Sequence, residues 1–133
     1  MKDAARILVI EDDAASLQLA TYLLDSAGYG TVAAVDGVTG LALARRGGLD
    51  LILCDLQLPG LNGFEVFASL PRPPDPAAVP VVAFTAFSMP VDRERVLAAG
   101  FAGYLTKPID PERFVATVET FLPPSRRAPR QRR

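Results

Sequence analysis

At 133 residues, half of them hydrophobic, the chain suits one cored domain; no apolar run reaches the roughly 18 residues that would span a bilayer, and the acidic, cored body is not expected to take a membrane as partner. The net charge of −1 hides an asymmetry: five arginines fall in the last nine residues, and without them nine basic residues face fifteen acidic ones, a body of −6 that argues against nucleic acid as a partner. Histidine is absent, which excludes Ser-His-Asp and Cys-His catalysis, His-ligated zinc and a phosphohistidine of the chain's own, while the lone Cys54 excludes an internal disulfide and points to a reducing compartment.

Strands alternate with helices along the chain. The first strand is "RILVI", ending at Ile10 and followed by Glu11, Asp12 and Asp13. Asp13 is placed to cap a helix through "AASLQLATYLLDSA", and Gly28 to end it. "GTVAAV" is a weaker second strand, and Asp36-Gly37 turns the chain into a helix through "VTGLALARR", closed by Gly47 and Gly48. "LDLILC" is the third strand, with Asp55 at its tip and a Pro59–Gly63 loop beyond it. A short helix, "FEVFASL", stops at Pro71, and "PRPPDPAAVP" is a proline-stiffened surface connection. "VVAFT" is the fourth strand, a helix follows near Pro90–Ala99, and "AGYLT" is the fifth strand. Asp110-Pro111-Glu112 opens the last helix, which ends before Pro123. Residues 1–122 are expected to form the domain, and 123–133 a disordered Arg/Pro-rich tail that forms a solvated end, the alternative being an electrostatic contact with an acidic partner, nucleic acid or membrane.

Five βα units with continuous apolar strands imply a parallel sheet covered on both faces. One common solution is the flavodoxin-like, doubly wound order 2-1-3-4-5, with a ligand site at the carboxyl ends where strands 1 and 3 diverge. Those ends carry Glu11, Asp12 and Asp13, then Asp55, Thr85 and Lys107. Neighbouring strand tips lie about 5 Å apart, so the carboxylates of strands 1 and 3 crowd together and repel. A hard divalent cation with few protein ligands, Mg²⁺, relieves that repulsion. It also suits phosphoryl transfer onto Asp55, with Thr85 as a hydroxyl donor and Lys107 as a compact positive charge. Lysine occurs only at Lys2 and Lys107, against twelve arginines, which fits a slender point charge at the latter position.

The segments "LVIEDD", "LILCDLQLPGLNG", "VVAFTAF" and "YLTKPID" resemble the signature segments of response-regulator receiver domains, the CheY-like family, over about residues 5–121. The resemblance implies a single-domain two-component signalling switch in the bacterial cytoplasm. Asp55 would take a phosphoryl group from a phosphohistidine of a sensor histidine kinase or histidine phosphotransfer protein. Asp12 would ligate Mg²⁺ directly, Glu11 through water, and Gln57 through its backbone carbonyl. Thr85 and Lys107 would bind phosphoryl oxygens, Tyr104 would be the aromatic switch, and Lys107–Pro108 would be a cis peptide. Gln57 and Phe87 occupy positions that tune the lifetime of the aspartyl phosphate, and an apolar Phe87 implies slow hydrolysis. Output would run through the face made by helix 4, strand 5 and helix 5 to a downstream protein target, and a homodimer on phosphorylation would use the same face. Two other readings stay open. A haloacid-dehalogenase-type phosphatase also combines Asp, Thr/Ser, Lys and Mg²⁺, but it places a second acid where this chain has Gln57. A phosphorylation-independent adaptor would not need the acid cluster.

Overall fold

The computed structural model describes residues 4–86 and 90–129. Five parallel strands form one sheet in the order β2-β1-β3-β4-β5. They are β1 (Arg6–Ile10), β2 (Gly30–Ala34), β3 (Leu51–Asp55), β4 (Val81–Thr85) and β5 (Gly103–Thr106). Between and after them run α1 (Ala14–Ser26), α2 (Gly37–Arg45), α3 (Gly63–Ala68), α4 (Pro90–Ala99) and α5 (Phe114–Glu119). The fold is the flavodoxin-like, doubly wound arrangement expected from the alternation.

Side chains in a strand alternate between the two faces, and the register carries that alternation across the sheet. Val9 stands beside Leu53, and Leu53 beside Val82. This layer packs on Ala20 and Leu24 of α1 and on Phe114 and Val118 of α5. Leu8, Ile10, Ile52, Cys54 and Ala83 point the other way, against Val66 and Phe67 of α3 and Val96 of α4. A central strand buried on both faces needs an unbroken apolar run, and all five residues of β3 are buried. Full burial of each large aliphatic side chain contributes about 1.5–3 kcal/mol.

Caps fix where the helices begin. The Asp13 side chain accepts from Ser16 N at 2.9 Å, and Asp36 accepts from Thr39 N at 2.7 Å. Asn62 and Glu65 form a reciprocal capping box at the start of α3. Gly63 follows, and a Cβ built there would lie 2.3 Å from the Asp55 carbonyl oxygen. Only glycine lets the β3–α3 loop close so tightly on the residue at the strand tip.

Two expectations change. Asp110 opens a turn rather than α5 itself: its carboxylate accepts from Glu112 N at 3.0 Å, and the helix begins at Phe114. The proline in this segment suits a first turn, but three residues of turn intervene before regular helical bonding starts. The larger difference is in the described part of the tail, 123–129; residues 130–133 lie outside the described residues. Residues Pro124–Arg126 form a 3₁₀ turn, and Arg126 donates to both carboxylate oxygens of Asp50 at 3.0 Å and to the Ala4 carbonyl at 3.3 Å. Ala128 N donates to the Tyr29 hydroxyl at 2.9 Å. A bidentate guanidinium–carboxylate pair and a satisfied backbone donor hold 123–129 against the amino end of the sheet.

Candidate functional site

Parity of side-chain direction builds the site. Val9 and Leu53 face α1 and α5, so Glu11 and Asp55, two residues further along, share that face at the carboxyl edge. Glu11 also extends the ladder, since its N–H donates to the Ala34 carbonyl at 2.9 Å, which fixes its backbone at the strand tip. Glu11 is fully buried and Asp55 is 4% exposed, whereas Asp12 is exposed. One carboxylate oxygen from each of Glu11, Asp12 and Asp55 falls within 4.8 Å of the others.

Lys107 stands just beyond β5, and its backbone N–H donates to the Thr85 carbonyl at 2.9 Å. Its ammonium donates to Asp55 Oδ2 at 2.9 Å and forms a closer ion pair with Glu11. It also lies 5.1 Å from the centre of the Phe84 ring, an apolar and cation-tolerant floor. The other Asp55 oxygen, Oδ1, accepts from Gln57 N at 3.0 Å, so the loop after β3 supplies a backbone donor to the same carboxylate.

Electrostatics follow from this crowding. Burial, aided by contact with Asp55 and opposed by Lys107, pushes the Glu11 carboxyl up to about 7. Burial on its own would lower the Lys107 ammonium, but Glu11 and Asp55 outweigh it and hold the group above the ordinary lysine value. Glu11 Oε1 meets Lys107 in the ion pair, yet no hydrogen bond of normal geometry reaches this enclosed atom. A buried carboxylate beside two more carboxylates, with oxygen donors alone, is a donor set suited to a hard divalent cation.

The structure thus brings together four of the residues singled out from sequence: Glu11, Asp12, Asp55 and Lys107. Thr85 is 4% exposed at the tip of β4, one strand over from Asp55. Asp13 is an exposed helix cap that accepts from both the backbone N and the hydroxyl of Ser16. Tyr104 lies in β5, half-buried, with the Arg93 guanidinium 5.7 Å above its ring. Lys107–Pro108 is cis, as the resemblance implied. Phe87 falls outside the described residues. Cys54 is buried, and burial followed by the nearby acid charges pushes its thiol up to about 12, which fits inert packing. Sequence reasoning did not reveal that Lys107 pairs with Glu11 as well as facing Asp55. The shared parity of Glu11 and Asp55 puts both carboxylates on one face, but nothing in the sequence fixes the direction of Lys107 beyond β5.

Comparison with known proteins agrees with this geometry. The family model for the response regulator receiver domain matches residues 7–119. The chain belongs to that family. As a receiver, it resembles the polar-differentiation response regulator DivK of Brucella anthropi, with 37% identity over 116 residues, 87% of this chain and 94% of that protein. It also resembles the receiver domain of the sensor histidine kinase PA1611 from Pseudomonas aeruginosa, whose structure has a magnesium ion coordinated in the active-site cleft. There the identity is 29% and the TM-score 0.78, covering 90% of this chain and 98% of that one. The receiver domain of Ssk1 from Saccharomyces cerevisiae, solved in complex with the histidine phosphotransfer protein Ypd1, is 25% identical with a TM-score of 0.75, covering 89% and 88% of the two chains. This receiver is therefore a response-regulator component of two-component signal transduction.

Proposed function

We propose that Asp55 is the phosphoacceptor of this receiver, and that Glu11, Asp12, Asp55 and the backbone carbonyl of Gln57 hold Mg²⁺ beside it. The observation that carries this reading is the placement of Asp55 between two more carboxylates and the Lys107 ammonium, which donates to it at 2.9 Å. When bound, Mg²⁺ neutralises charge on the carboxylates and on an incoming phosphoryl group. An Asp55 carboxylate oxygen attacks phosphorus, the P–N bond to the donor imidazole breaks, and the imidazole leaves with the bonding pair and takes a proton from solvent. The Gln57 N–H orients the attacking carboxylate, and Lys107 offsets the charge that develops on the phosphoryl oxygens. Thr85 donates its hydroxyl to one of those oxygens. The donor is the phosphohistidine of a sensor histidine kinase or of a histidine phosphotransfer protein, the kind of partner with which the Ssk1 receiver was crystallised.

The modified Asp55 carries added negative charge and three acceptor oxygens. Thr85 and Lys107 draw toward them, Tyr104 reorients, and the face of α4, β5 and α5 shifts between two populations with different affinity for a downstream protein, or for a second copy of the chain. Turnover of small phosphate esters does not belong to this reading, because Gln57 occupies the position where a phosphatase of related fold uses its second acid. A cytoplasmic location is consistent with the single buried Cys54 and with a described structure in which no helix is long and apolar enough to cross a membrane. The chemistry is tested by incubation with Mg²⁺ and acetyl phosphate followed by intact mass. One added phosphoryl group is expected on the wild type and none on Asp55→Asn; equal masses would overturn the assignment.

A further inference from the structure

The two ends of the sheet carry opposite charge. Glu11, Asp12, Asp36, Asp55 and Asp110 gather at the carboxyl ends of the strands. The amino end collects arginines from separate elements. Arg6 opens β1, Arg45 ends α2 with Arg46 as its cap residue, Arg72 follows α3, and Arg127 follows the 3₁₀ turn. All five are exposed, and among the described residues none of them makes a salt bridge. A basic side chain at a helix C-terminus complements the helix dipole, which accounts for Arg45 and Arg46; Arg72 lies 4.9 Å over the Phe67 ring and Arg127 Nε donates to the Leu122 carbonyl at 3.1 Å, contacts that do not neutralise their charge.

The acids at this end are fewer than the bases. Asp50 is paired with Arg126 and Glu119 is buried against Tyr29, while Asp25 and Asp75 are exposed carboxylates that accept from the Thr31 hydroxyl at 2.7 Å and from Ala77 N at 2.8 Å. The Arg126–Asp50 pair anchors the strap that sets Arg127 on this pole, and Arg130, Arg132 and Arg133 follow it in sequence. Beside Arg45 opens a cavity of about 470 Å³ whose apolar lining includes Leu49, Ile52, Leu70, Pro71 and Val79.

We propose that this arginine-rich amino end is a docking surface for an anionic lipid bilayer. Several basic side chains drawn from four elements make a spread array whose charge complements an anionic surface. Nucleic acid is less well served. Of the aromatics near this end, Tyr29, Phe67 and Phe101 are 4%, 7% and 4% exposed and Phe121 is half-buried against the core, so the pole offers no open stacking platform, and α2 reaches it only with its last turn. Adsorption of this kind needs no spanning helix, so the lack of one does not bear on it. Docking by the amino end points the acidic cleft away from the lipid, about one strand length distant, and leaves Asp55 accessible.

The test is flotation of the full chain with two kinds of vesicle, phosphatidylcholine alone and phosphatidylcholine with about 30 mol% phosphatidylglycerol, in about 0.1 M salt. Binding to the anionic vesicles is expected to be at least about tenfold tighter than to the neutral ones, and Arg45→Glu/Arg46→Glu is expected to abolish most of that difference. Arg113→Glu, near the opposite end, should leave it intact, and circular dichroism melts confirm that each variant is folded. A fluorescent duplex DNA serves as the competing probe. Equal partition into both vesicle types, retention of anionic binding by the double variant, or tighter binding to the duplex than to the vesicles would each overturn the proposal.

Discussion

Lys107 donates to Asp55 Oδ2 at 2.9 Å and pairs at the same time with the buried Glu11, so one ammonium bridges carboxylates from two strands. Removing it leaves two enclosed like charges with no cation. Breaking a buried pair from one side costs about 3–5 kcal/mol, and the 19% exposure of Lys107 brings the expected cost of Lys107→Met nearer about 2 kcal/mol. Urea unfolding at neutral pH checks the value. Adding Mg²⁺ should recover part of the loss, because a divalent ion takes over the role of the ammonium. A variant as stable as the wild type in metal-free buffer would mean that Glu11 sheds its charge on folding without help.

Metal binding to the folded state alone raises stability by mass action, about 2.7 kcal/mol at a hundredfold excess over the dissociation constant. Titration of Mg²⁺ into the wild type should therefore raise the melting temperature progressively. Glu11→Gln and Asp12→Asn each remove a charged oxygen from the cluster within 4.8 Å and should shift the titration to higher metal concentration. Calorimetry on the three proteins decides it; superimposable curves would remove these two side chains from the ligand set.

Much of this could be read from the residues, and the parts that could not share a cause. β1 and β4 run over the expected residues because Arg6 and Glu11 bound the apolar run Ile7–Ile10, and Pro80 and Thr85 bound Val81–Phe84. The gathering of Glu11, Asp12 and Asp55 was legible because strand order and the period of two are local rules with a global consequence. The double pairing of Lys107 was not, since it lies past the end of β5, where no periodicity fixes side-chain direction. The tail misled for a similar reason. Its composition is that of a disordered end, but Arg126 finds Asp50, 76 positions away in sequence, and composition carries no information about such a pair.

Gly63 tests how closely the loop geometry is tied to the Asp55 carboxylate. A Cβ there would sit 2.3 Å from the Asp55 carbonyl oxygen and 2.7 Å from Leu56 Cα, both backbone atoms that cannot rotate away. Gly63→Ala should destabilise the fold by about 2–4 kcal/mol, in the range of overpacked or strained sites. It should also slow phosphorylation of the folded fraction by acetyl phosphate, because the displaced segment carries Asp55 and the Gln57 N–H. An alanine variant with wild-type stability and rate would show that the loop relaxes freely.

The Asp50–Arg126 clasp has a signature in pH. Hydrogen bonding to Arg126, reinforced by the Arg6 backbone N–H and charge and opposed by burial, holds the Asp50 carboxyl below its usual value of 3.8. A depressed acid stabilises the fold above its unfolded pKa and loses that contribution as pH falls through the lower folded value. The two side chains are 24% and 30% exposed, so solvent screening limits the contribution to about 1 kcal/mol near neutral pH. Arg126→Ala should therefore be less stable than wild type by about that amount from pH 5 upward, and the two unfolding curves should converge as pH drops below about 4. Urea melts of both proteins over that range measure the difference directly. A gap that persists unchanged to the lowest pH would assign the strap's contribution to packing of residues such as Ala128, which lies against the α1 and α5 layer, rather than to the ion pair.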